Sequence, residues 1–114
     1  MKYTMYLFLN YDVLKSEYFD MYQSAIKDMK SVKVIKNRWV SEKLWTYYMY
    51  VLEINNYDIA EFVYHMNSSY EVIVTDADRL NNVTSDLCRR AVEEELNQNK
   101  HIGIDDVINQ MSGD

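Results

Sequence analysis

Three carboxylates fall where strands are expected to end: Asp12, Asp76 and Asp78. Side-chain oxygens gathered at strand ends can hold a divalent cation or pass a proton. The expected topology separates them. Asp12 follows the first strand and Asp76 the antiparallel fourth, so they lie about 20 Å apart for a six-residue strand. A metal at Asp12 then needs a homodimer that brings two copies of it together. The alternative role for Asp12, and the one favoured, is the N-cap of the following helix. His65 and His101 have no partner at ligand spacing. Cys88, followed by Arg89 and Arg90, has the neighbours of an activated thiol, but it falls on an inward helical stripe where a small core residue is expected. No Ser-His-Asp arrangement follows from the spacing. With no proline and only Gly103 and Gly113, no glycine-rich phosphate loop can form, and no cofactor is expected.

Charge is the second chemical signal. Lys27, Lys30, Lys33, Lys36, Arg38 and Lys43 are opposed in their span only by Asp28 and Glu42. Such a stretch can contact nucleic acid, with Trp39 or Trp45 to stack on bases. It also fits a solvated edge strand guarded by lysines, the commoner case. The tail is acidic: Glu93, Glu94, Glu95, Asp105 and Asp106. A row of carboxylates on a helix can occupy a partner's basic groove, or simply face water. The three glutamates are expected on the outer side, because Val92 and Leu96 must point inward. The formal charge of −6 disfavours a duplex-DNA binder.

The elements that position these residues centre on Val32 to Ile54, a strand, a tight turn at Ser41-Glu42 and a longer strand. Trp45, Tyr47, Met49 and Val51 alternate with Leu44, Tyr48, Tyr50, Leu52 and Ile54, so both faces are apolar and the strand is expected at the centre of a sheet. Tyr3 to Asn10 is a strand, with Met5, Leu7 and Leu9 on one face and Tyr6 and Phe8 on the other. Leu14 to Lys30 is a helix whose stripe is Leu14, Tyr18, Met21, Tyr22, Ala25, Ile26 and Met29. A short helix follows from Asp58 to Met66, with Asp58 and Glu61 as a capping box. Asn67-Ser68-Ser69 is a loop and Tyr70 to Thr75 the fourth strand.

This order predicts an α+β, ferredoxin-like βαββαβ sheet, spatial order 4-1-3-2, with both helices on one face. The strands Tyr3 to Asn10 and Lys43 to Ile54 are expected at its centre, parallel to each other. Residues 77–114 form an acidic helical tail on a 1–76 core, within one domain. Thr84 or Ser85 caps a helix to about Asn97, with Leu87, Cys88, Ala91, Val92 and Leu96 inward. Lys100 to Ile104 breaks it, and a last turn follows from Asp105. The tail is a candidate cover for the second sheet face; otherwise that face calls for a homodimer.

Leu7-Phe8-Leu9-Asn10-Tyr11-Asp12 resembles the first strand of Cas2- and VapD-type proteins. That resemblance implies a ferredoxin-like dimer, in some members a metal-dependent nuclease with an Asp after strand one. It covers about twelve residues and the topology. The composition looks like that of small accessory proteins of phages or mobile elements. No signal pattern or membrane-length apolar run is found, so a cytoplasmic protein is expected. The leading functional expectation is a small acidic, non-enzymatic protein that binds and regulates or inhibits another protein. The second is an RNA-binding or Cas2-like module using Lys30, Lys33, Lys36, Arg38, Lys43 and Trp39, with Asp12. The third is a structural dimer subunit.

Overall fold

The computed structural model describes residues 2–66 and 71–111, with side chains up to Gln98. Its strands are β1 (Lys2–Asn10), β2 (Lys33–Glu42), β3 (Trp45–Asn55) and β4 (Val72–Thr75). They form one sheet in the order β2-β3-β1-β4, every neighbouring pair antiparallel. The expected spatial order and central strands are found, but the expected direction is not. β1 and β3 run antiparallel, with Tyr3 opposite Ile54 and Leu9 opposite Tyr48. The reason is topological. A helical crossover returns the chain in its starting direction, so β2 runs with β1. The hairpin then reverses it, and β3, lying between them, must oppose both.

The sheet is buried on both faces. Met5, Leu7 and Leu9 of β1 join Tyr50, Leu52 and Ile54 of β3 in one core. Helices α2 (Tyr18–Asp28) and α3 (Ile59–Met66) cover it with Tyr22, Ile26, Phe62 and Met66. Tyr6, Phe8, Tyr47, Met49 and Val51 face the other way and pack against Cys88, Ala91 and Val92 of α4 (Asp86–Met111). The tail therefore covers the second face, and the two-sided alternation read in both central strands is the reason it must.

Several local expectations need correction. The helix after β1 is split. A four-residue α1 (Tyr11–Leu14) is capped by Asn10, whose side chain accepts the Asp12 N–H at 2.9 Å. Asp12 is therefore not the cap. Ser16 ends α1: its hydroxyl donates to the Val13 carbonyl at 2.7 Å and accepts the Tyr18 N–H at 3.2 Å. The break resets the helical phase, so Phe19 turns inward while Tyr18 and Met21 are exposed. Asp58 is not a capping residue either. Asn55 caps a 3-10 turn ahead of α3, and Asp58 accepts a hydrogen bond from Ser31 instead. The hairpin turn lies at Lys43-Leu44, two residues beyond Ser41-Glu42, with Lys43 at φ 52°. Ser85 caps α4, accepting the Cys88 N–H at 3.3 Å. α4 runs through Lys100 to Ile104 without the expected break. The 67–69 loop and Tyr70 lie outside the described residues.

Candidate functional site

Strand β2 is the sheet's outer edge, and its two faces carry different chemistry. Its register with β3 puts Lys36, Arg38, Val40 and Glu42 beside Val51, Met49, Tyr47 and Trp45, on the α4 side. Asn37 and Trp39 lie beside Tyr50 and Tyr48, on the α2 side. The alternation follows from the period of two along a strand.

On the α4 side the basic and acidic groups meet each other. Lys36 Nζ lies 2.9 Å from Glu95 Oε1, and Arg38 Nε lies 3.4 Å from Glu95 Oε2. Arg38 Nη2 reaches Glu94 Oε2 at 3.0 Å. Farther along, Arg90 of α4 pairs with Glu42 and, at 2.9 Å, with Asp86. Arg89, then Arg90, hold the Asp86 carboxyl below the usual carboxylate range through hydrogen bonds. Glu95 is only 6% exposed, which corrects its expected outward position. It falls three residues after the inward Val92, close enough to that stripe to be drawn in. Glu93 and Glu94 do face outward. The side chains of Asp105, Asp106 and His101 lie outside the described residues.

On the α2 side the edge is open and aromatic. Trp39, 53% exposed, packs edge-on against Tyr48 with ring centres 4.9 Å apart. Tyr48 meets Tyr50 at 5.1 Å, and Tyr11 lies 6.4 Å from Trp39. Together with Leu14, Phe19, Gln23 and Asn37, Trp39, Tyr48 and Tyr50 line a groove of about 540 Å³. Gln23 Nε2 approaches the Tyr50 hydroxyl at 3.4 Å, and Lys15 sits 4.2 Å above the Tyr11 ring. Sequence reasoning singled out Trp39 as a stacking residue but missed the groove around it. Its signal is the run Asn37, Trp39, Tyr48, Tyr50 on the face opposite the charges, visible only once the hairpin register is known.

The remaining candidates are dispersed. Lys30, Lys33 and Lys43 are exposed and spread along the β2 segment, and none has an ion pair among the described residues. Asp12 is exposed at the end of β1, while Asp76 is taken up by Arg79 at the opposite end of β4. Among the described residues no three His, Cys, Asp or Glu side chains gather as a metal site. His65 pairs with Glu61 on the surface of α3. Cys88 is buried, and burial pushes its thiol up to about 11, the opposite of activation. A second cleft of about 400 Å³ opens between Trp45, Tyr47, Ile73 and the start of α4, beside the carboxylates of Glu42 and Asp86 that Arg90 engages. No helix among the described residues is long and apolar enough to cross a membrane.

Comparison with protein-family models, with curated proteins and with solved structures finds no match to the chain.

Proposed function

We propose that the chain is a non-enzymatic protein-binding module of ferredoxin-like type, a small regulator or inhibitor that docks its partner in the aromatic groove beside β2. The element order and the β2-β3-β1-β4 sheet support the fold assignment. The observation that carries the function is the row of packed rings Tyr11, Trp39 and Tyr48 beside the groove, with Tyr11 and Trp39 exposed and Tyr48 half-buried. Tyrosine and tryptophan bring large contact area for little lost freedom, which is why they dominate recognition surfaces. Glu93 and Glu94 add a negative surface that speeds approach of a basic partner.

The charge ladder weighs against RNA as the partner. Lys36 and Arg38, the centre of the basic span, are already bound to Glu94 and Glu95. A phosphate would have to displace carboxylates held in the same chain.

The test is a capture experiment from the source cells with three proteins side by side. Wild type should retain a specific protein. Tyr11→Ser with Gln23→Ala should lose it while keeping its circular dichroism. Glu94→Gln should retain the protein, with weaker salt dependence. If RNA is the ligand instead, Glu94→Gln strengthens retention of labelled RNA and Lys33→Glu abolishes it. Cleavage of RNA that needs a divalent cation and stops in Asp12→Asn would replace this reading with the nuclease one.

A further inference from the structure

β2 ends the sheet, and no strand among the described residues lies on its outer side. An edge strand presents unpaired N–H and C=O groups that another strand can use. The pairing of β2 with β3 is irregular between Val34 and Lys36, and the hairpin turns at the left-handed Lys43. Between those limits lies one regular stretch, Lys36 to Glu42, with Trp39 at its middle.

We propose that two copies of the chain join antiparallel along this stretch, with Trp39 opposite Trp39. Residues directly opposite in an antiparallel pair share a face, so the register must be centred on a residue. Centred on Trp39, Lys36 faces Glu42 of the second copy, Asn37 faces Ser41, and Arg38 faces Val40. All seven residues are paired, and the opposite charges meet twice. Centred on Arg38, two arginines are opposed and Glu42 has no counterpart within the stretch; like charges directly opposite destabilise a sheet. Centred on Val40, only five residues pair before the turn. The chain's own charge pattern therefore selects one register. Lys36 and Glu42 have the room to take part: their side chains are 43% and 45% exposed despite their bonds to α4. On the open face the Trp39 rings meet across the twofold axis and join two aromatic rows into one. The groove floor at Leu14, Phe19 and Tyr50 lies inward of the joint. The inference does not depend on the protein-binding reading, since it concerns only the outer edge of β2.

Analytical ultracentrifugation with charge-swapped variants tests it. Wild type should be mostly dimer at about 100 µM, ordinary for a small edge interface. Lys36→Glu alone and Glu42→Lys alone should each associate about tenfold more weakly, because each opposes like charges twice. Their equimolar mixture should regain dimer, since both pairs are then opposite in sign. A second set avoids the bonds to α4. Trp39→Glu and Trp39→Lys should each be monomeric, and their mixture dimeric, only if Trp39 lies on the axis. A monomeric wild type at that concentration overturns the proposal. So do mixtures that associate no better than their components, or single variants that dimerise like wild type.

Discussion

Glu95 shows how much one side chain can decide. It is buried beside Tyr6, whose hydroxyl is raised by burial and then by the Glu95 charge, and it holds Lys36 and Arg38. Glu95→Gln keeps the volume and removes the charge. Lys36 is partly open to water, so the expected loss is about 1–3 kcal/mol in urea unfolding, below the cost of stranding a fully buried charge. Cys88 gives a pH test. Its folded pKa of about 11 lies above the ordinary value of 9.0, so the unfolded chain gives up its proton first. The folded chain then binds more protons between those values, and stability falls as pH rises from about 9 to 11. Tyr6 and Tyr47 are raised in the same direction, chiefly by burial, and extend the loss upward. Urea midpoints measured across this range should fall, and Cys88→Ala should flatten the first part of the slope. That Cys88 is a core residue was legible from its place on a four-residue stripe with Val92. That Glu95 is internal was not: it depends on Lys36, fifty-nine residues away.

At the scale of elements, alternation was the readable signal. The two faces of β1, those of β3 from Tyr47 onward and the inward stripe of α4 are as the periodicity implies, whereas Leu44, read as part of one apolar face, lies in the turn and is exposed, as is Trp45. Breaks were not readable where no glycine or proline marks them. Ser16 splits a helix using only its hydroxyl, and Lys43 turns a hairpin with positive φ, a place usually given to glycine or asparagine. A side-chain-bearing residue there costs about 1–2 kcal/mol. Lys43→Gly should therefore stabilise the protein by about 1 kcal/mol, less the entropy glycine gains when unfolded. Thermal melting checks it, and Lys43→Ala, which keeps the Cβ, should show no such gain. α4 has a different standing. A chain ending at Val83 loses Cys88, Ala91 and Val92 from above Phe8, Met49 and Val51. It should bind a hydrophobic dye and leave a sizing column in the void, whereas the full chain does neither.

The whole molecule is three layers: α2 and α3, the sheet, and α4. Its Cα radius of gyration is 15.7 Å, against about 13 Å for a rounder domain of this length. The difference comes from α4, whose twenty-six residues span about 39 Å at 1.5 Å each. Small-angle scattering at high dilution should give a clearly elongated particle, and its radius should rise with concentration if β2 edges join. The layer order was legible in part. Both sheet faces were readably apolar, but the relative directions of β1 and β3 had to be worked out from the crossover and hairpin together.

The layer that closes the second core is made after the sheet it covers. A ribosome finishes Tyr6, Phe8, Tyr47, Met49 and Val51 well before it reaches Cys88 and Val92. During that interval the nascent sheet has one clothed side and one bare one, and a bare aromatic side invites capture by chaperones or by a neighbouring chain on the same message. Rare codons placed between Val83 and Leu96 would lengthen the exposure and lower the soluble yield. The same delay placed before Val32 would not, because the strand that builds most of that face has yet to appear.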